Sequence, residues 1–214
     1  MSSQVRIIVL CYKRWGNVNS IVKALHKYYP ITIINNLPGH TYTNPNADVI
    51  NNDTNKFCMD RWIRCFNYNE PFKVILDDDI VVNPRTIQKL IKNCVHMNGI
   101  FGYNGVNKST NYFGLERVWN DKAEVDFLVG CVICIKQSSL NAIKEELLEY
   151  GFPRRGDDII VSYLIKRKFN LKSLPTIRGE FLNLPEHEVG LNMQSEHYKL
   201  RWQVLENFKK IGWT

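Results

Sequence analysis

An α/β fold with a central, mostly parallel sheet is predicted by three features of this 214-residue chain. Short apolar runs at 4–10, 31–34 and 73–76 are separated by stretches in which apolar residues recur at helical spacing. Each run closes on polar residues, and the third closes on three consecutive aspartates, Asp77, Asp78 and Asp79. Strand, loop and helix repeated in this way give parallel strands joined by right-handed crossovers, with ligands gathered at the strands' carboxyl ends.

The elements follow in order. After the first strand, Val18, Ile21, Val22 and Leu25 share one face of a helix. The second strand ends at Asn35 and Asn36, and Pro38-Gly39 and Asn44-Pro45 mark an irregular stretch. A helix over 55–66 carries Met59, Trp62, Ile63 and Phe66 on one face. The acidic strand comes next, and Asn83 caps a helix that has Pro84 at its first position and Ile87, Leu90, Ile91 and Cys94 as its buried stripe. Beyond residue 99 the pattern changes: 100–103, 112–119 and 125–135 read as mixed or antiparallel strands of a smaller sheet. Ser138 or Ser139 opens another helix ending near Tyr150, and Asp157 and Asp158 begin one more after Arg154, Arg155 and Gly156. No repeat, linker or low-complexity tract divides the chain, so 1–214 reads as one domain, long enough to bury a core without staples.

Charge and cysteine usage narrow the partners. The 28 Lys and Arg outnumber 21 Asp and Glu, a net +7 that favours anionic ligands. The basic residues are scattered in pairs and triplets, which suits local phosphate contacts better than a duplex-binding stripe. The six cysteines lie in apolar stretches with no leader before them, so reduced core thiols and a cytoplasmic chain are expected. Cys131 and Cys134 have zinc-motif spacing but fall within a strand that points them to opposite faces. No apolar run approaches the ~20 residues of a membrane span.

The acidic tip of the third strand is the strongest chemical signal. Alternation aims Asp77 and Asp79 to one side and Asp78 to the other, a two-carboxylate claw for a hard divalent ion, Mn²⁺ or Mg²⁺. Such an ion completes its shell with water and substrate phosphate, which implies a diphosphate substrate. At the second acidic pair, Asp158, and after it Asp157, is a candidate general base; a helix cap is the bland alternative. His197 and Arg201, four apart on a last helix, share a face.

These residues in this order resemble the nucleotide-sugar glycosyltransferases of the GT-A fold, and within them the exostosin-like group and related viral enzymes. The resemblance spans nearly the whole chain. It is carried by Tyr12, Lys13 and Arg14, by Asn35 and Asn36, and by Leu76 with Asp77, Asp78 and Asp79. Gly130, then Gly156, Asp157, Asp158 and Ile159, and last Glu196, His197 and Arg201 complete it. It implies a nucleotide-sugar-binding half over about 1–99 and an acceptor-binding half over about 100–214. Tyr12 and Arg14 then meet the nucleotide and its phosphates, Asn35 or Asn36 the uracil, and Asn52, Asn55 and Arg61 the base, ribose or sugar. The residues also leave Asp60 and Glu70 open as partners of Arg61. Asp77 faces ribose or donor-sugar hydroxyls, Asp79 ligates the metal, Asp78 assists either, and His197 and Arg201 grip the diphosphate.

The implied reaction moves a hexose or deoxyhexose from a UDP-sugar to a sugar hydroxyl of a carbohydrate acceptor, with inversion if Asp158 is the base and retention if the chain follows its exostosin-like relatives. Tyr112, Phe113, Trp119 and Phe127 are candidate acceptor platforms, His187 a spare metal ligand, and Gly190 a hinge for a lid. Paired aspartates and positive charge also suit a metal-dependent nucleotidyltransferase or nuclease, or a nucleotide-sugar-binding module without turnover. Neither the sugar, the acceptor nor the oligomeric state is legible.

Overall fold

The computed structural model describes residues 4–96, 98–107, 116–118, 123–173, 181–185 and 195–212. In chain order the elements are β1 (Val5–Cys11), α1 (Trp15–Leu25), β2 (Ile31–Asn35), β3 (Asp48–Asn51), α2 (Met59–Arg64), β4 (Phe72–Leu76), β5 (Ile80–Val82) and α3 (Pro84–His96). There follow β6 (Gly99–Gly102), β7 (Gly105–Asn107), β8 (Glu116–Val118), β9 (Ala123–Glu124), β10 (Phe127–Leu128), β11 (Val132–Lys136), α4 (Gln137–Asn141) and α5 (Lys144–Glu149). The last are α6 (Asp157–Lys166), β12 (Asn170–Ser173), β13 (Phe181–Asn183) and α7 (His197–Lys210).

The central sheet has the order β3-β2-β1-β4-β11-β6-β12-β9 among the described residues. Its first four strands are mutually parallel, and β11 runs antiparallel to both β4 and β6. Because β6 and β12 pair in parallel and β9 opposes β12, only β11 and β9 run against the rest. The antiparallel ribbons β10-β7-β8 and β13-β5 supply the smaller sheets. The fold is thus the mostly parallel α/β arrangement that the sequence predicts.

Strand alternation divides the core into two layers. Ile7, Val9, Val74, Leu76 and Phe101 pack on the face covered by α1 and α3, with Val18, Ile21, Leu25, Ile87 and Leu90. Ile8, Ile75, Ile133 and Ile135 face the other way, against Met59 and Trp62 of α2, Ile159 and Leu164 of α6, and Leu205 and Phe208 of α7. Trp62 is wholly buried, and apolar burial of this kind is worth roughly 25 cal/mol per Å² removed from water.

Three element boundaries differ from the sequence reading, each because local side chains outbid periodicity. The helix expected from residue 55 begins at Met59. Asn55 Oδ1 accepts the Phe57 N–H at 2.9 Å, and Phe57 itself sits at φ 53°, so the preceding residues form a side-chain-closed turn. The strand expected over 125–135 breaks into β10 and β11, which belong to different sheets. At the break the Gly130 N–H goes to Asp158 and its carbonyl to Arg61 instead of to a neighbouring strand. The helix expected from Ser138 to Tyr150 is two, α4 and α5, hinged where Ile143 drops into the core.

Candidate active site

Parallel pairing places the strand ends side by side: Cys11 lies opposite Asn35, and Val9 opposite Leu76. Tyr12–Arg14 after β1, Asn36 after β2 and Asp77 after β4 therefore emerge at one edge, where α6 also begins. Gly130 and Cys131, which lead into antiparallel β11, return to the same edge, since the Cys131 carbonyl accepts the Asp77 N–H at 3.0 Å.

The aspartate triplet lies in a turn between β4 and β5, and its partners divide it differently from strand alternation. Arg14 Nη1 donates to Asp78 Oδ1 at 2.7 Å and to Asp79 Oδ2 at 2.9 Å, so these two acids share one guanidinium. Asp78 Oδ2 also accepts the Tyr12 N–H at 3.3 Å. Asp77 pairs instead with Arg61, Nη1 to Oδ1 at 2.5 Å. The chain leaves β4 at Leu76, so period-two alternation stops one residue before the acids begin. Loss of solvent, helped by neighbouring Asp79, pushes the Asp77 carboxyl up to about 7 against the pull of Arg61, although 32 % of the side chain remains open. Burial likewise pushes Asp78 up to about 6. Among the described residues no three His, Cys, Asp or Glu side chains converge as a metal cage.

Asp157 and Asp158, both buried, open α6, whose N-cap Gly156 is left-handed at φ 82°. A Cβ at Gly156 would press within 3.1 Å of Val204 on α7, so glycine meets both the backbone and the packing demand. Asp157 Oδ2 accepts Arg61 Nε at 3.1 Å, Arg61 Nη2 at 2.9 Å and Trp62 Nε1 at 2.8 Å. Asp158 is gripped by Arg201 through both oxygens, at 2.7 and 2.9 Å, and accepts the Gly130 N–H at 3.2 Å. Burial opposes the Asp158 charge, but Arg201 outweighs it and holds the carboxyl below its usual range. His197, one turn before Arg201, is pushed down to about 4 by burial and then by Arg201 and Arg155, which leaves it neutral.

Of the asparagines named by the sequence, Asn35, Asn36 and Asn52 are buried and Asn55 is half-buried, and all four are bonded within the protein. Asn36 donates to Asn55 at 2.8 Å and accepts from Asn52 and the Lys56 N–H; Asn52 donates to Asp60, which Arg64 also bonds. Asn35 donates to Asn51 at 2.7 Å and accepts the Leu37 N–H. These side chains build the loops beside β2. Of the two open partners for Arg61, Asp60 pairs with Arg64 and Glu70 with Arg6, while Arg61 takes Asp77 and Asp157.

Phe127 is wholly buried in the core and has no surface for an acceptor. Tyr112, Phe113, Trp119, His187 and Gly190 lie outside the described residues. Sequence reasoning passed over Trp62 as a hydrogen-bond donor, buried Arg155, and the ring cluster in which Trp15 stacks on Tyr42 at 5.0 Å with His40 at 4.6 Å. A tryptophan next to a buried arginine was the one available signal; the ring cluster joins residues too far apart in sequence to be seen there.

Solved structures share this architecture. S. aureus TarS residues 1–349, in complex with UDP-GlcNAc, superposes with a TM-score of 0.59 at 13 % identity over 85 % of this chain and 58 % of that one. The fold is GT-A. A second structure of TarS 1–349 gives 0.57 at 12 % identity over 96 % of this chain and 70 % of that one. CMP:2-keto-3-deoxy-manno-octonic acid synthetase complexed with CTP gives 0.54 at 9 % identity, over 96 % of this chain and all of that one. The chain thus spans little more than half of the first TarS structure, and identities this low carry the fold alone. No protein-family model matches the sequence, and no curated protein does. No helix among the described residues is long and apolar enough to cross a membrane.

Proposed function

We propose that the chain is a glycosyltransferase that moves a hexose or deoxyhexose from a UDP-sugar to a sugar hydroxyl of a glycan acceptor. The observation that carries this reading is the convergence at one sheet edge of Arg14, the aspartate triplet and Arg61 with the Asp158–Arg201 pair. TarS, the neighbour complexed with UDP-GlcNAc, supports a nucleotide-sugar ligand for such a cleft.

Roles follow from the chemistry of each group. Tyr12 and Arg14 meet the nucleotide and its phosphates, while Asn35 and Asn36, buried, and Asn55 shape the loops beside which the uracil lies. The donor set fits a hard dication, because the triplet gathers three carboxylates beside two guanidiniums at one turn. Asp79 and Asp77 would hold Mn²⁺ or Mg²⁺, which when bound supplies neutralisation of charge on a departing diphosphate. Arg201 and His197 reach the same diphosphate from α7. Asp158, kept anionic by Arg201, is the base; a diphosphate that draws Arg201 away frees one of its oxygens to accept the proton of the acceptor hydroxyl. A single displacement with inversion is the resulting stereochemistry.

A nucleotidyltransferase is the second reading, favoured by the CTP-complexed synthetase among the structural neighbours. The products separate the two. With Mn²⁺ and a panel of UDP-, GDP- and TDP-sugars, the proposed enzyme releases UDP from UDP-sugars, and Asp79→Ala abolishes that release. Release of inorganic pyrophosphate from a nucleoside triphosphate, without UDP release, would replace the proposal by the second reading.

A further inference from the structure

Arg61 occupies the gap between the two acidic groups of the cleft and is fixed from three sides. Its Nε and Nη2 atoms donate to Asp157 Oδ2, and its Nη1 donates to Asp77 Oδ1 and to the Gly130 carbonyl at 3.3 Å. The residue after it, Trp62, donates to the same Asp157 oxygen. Two neighbouring side chains of α2 thereby meet on one carboxylate oxygen of α6, and the guanidinium plane is set before any ligand arrives. A planar fork with bonds on three edges cannot swing out to a base or ribose without breaking them.

We infer that Arg61 is a positioning residue, with Asp157 as its buried anchor and Gly130 as its clearance, that holds Asp77 with one oxygen bonded and the other presented to the donor. The Asp77 Oδ2 atom receives no hydrogen bond among the described residues, in keeping with this. The role differs from direct contact with base, ribose or sugar, and it assigns Asp157 to support instead of proton transfer. It rests on the reading of the cleft as a nucleotide-sugar site.

Gly130 makes the arrangement testable. A Cβ there would overlap Arg61 Nη2, the far end of a side chain that is able to shift, whereas the Gly130 backbone is not in the left-handed region. Gly130→Ala therefore displaces the guanidinium without straining the chain. A lysine at position 61 keeps the charge but lacks the two-edged fork that joins Asp77 to Asp157.

Titration calorimetry of Gly130→Ala and Arg61→Lys with UDP in Mn²⁺, and separately with uridine, tests the assignment alongside thermal unfolding. Affinity for UDP is expected to fall at least tenfold in Gly130→Ala while uridine binding stays near wild type and the unfolding transition, lowered by the disturbed Arg61–Asp157 pair, stays cooperative. UDP affinity within twofold of wild type, or equal losses for UDP and uridine, overturns it. If the wild-type protein binds no UDP, the nucleotide-sugar reading fails, and a crystal structure of Gly130→Ala then decides on Arg61 alone. Asp77 turned from its wild-type rotamer supports the role; Asp77 unmoved beside a displaced Arg61 refutes it.

Discussion

Individual side chains of the cleft are held in charge states that burial and neighbours choose. Asp158 is the sharpest case, because the same guanidinium that lowers its pKa must be drawn off before it can take a proton. Asp158→Asn should therefore lower kcat by about 10²–10⁴-fold, the range expected for loss of a general base, while UDP affinity measured by calorimetry changes little. A kcat within threefold of wild type would remove Asp158 from the chemistry. His197 offers a pH test of the folded state. The unfolded imidazole takes up its proton near 6.5, the folded one only near 4. Between these values the unfolded chain binds more protons, so this residue's contribution to stability is present above 6.5 and is lost as pH falls towards 4. The ring is partly solvated, so the loss is about 1–2 kcal/mol after screening. Denaturant unfolding at pH 7.5 and 4.5 should show wild type losing that much relative to His197→Gln; parallel losses would contradict the assigned shift.

Secondary-structure elements place these groups, and much of that placement was readable beforehand. The runs before Asn35 and Asp77 are apolar, short and β-branched, so the strands and their carboxyl-end loops follow from pattern alone. Arg14, Arg201 and the acidic residues were legible as candidates through the ordered motifs of the resemblance, since each alone reads equally as a surface charge or a helix cap. Who partners whom was not legible: Arg61 finds Asp77 and Asp157, the latter 96 residues away, and no local spacing encodes that. Nor did alternation survive past Leu76, where a turn replaces the strand. The start of α6 illustrates a constraint that the sequence hints at and packing completes. Gly156 combines φ 82° with contact against Val204, so Gly156→Ala should destabilise the protein by about 1–3 kcal/mol in chemical denaturation. Asp157 and Asp158 would shift with it, so UDP release should fall in the same variant. Unchanged stability would mean that the α6–α7 contact yields more easily than its geometry implies.

At the level of the molecule, one sheet edge collects the ends of parallel strands, the turn into antiparallel β11 and the start of α6, and packing on both faces fixes them together. Brought to that edge are five acids (Asp77, Asp78, Asp79, Asp157 and Asp158) and three guanidiniums that pair with them, Arg14, Arg61 and Arg201. The carboxylate excess calls for a cation, and the arginines and the +7 charge of the whole chain call for an anionic ligand. The metal-bound nucleoside diphosphate proposed as ligand would answer both. Proton NMR of the first-formed glycoside should show an inverted anomeric centre, and a retained one would contradict a single displacement assisted by Asp158. The most direct measurement is a crystal structure with UDP and Mn²⁺. Mn²⁺ is expected to be held by Asp79 and Asp77 beside the diphosphate, with Arg201 turned towards the phosphates; a diphosphate bound away from the tip of β4 would contradict the proposed site.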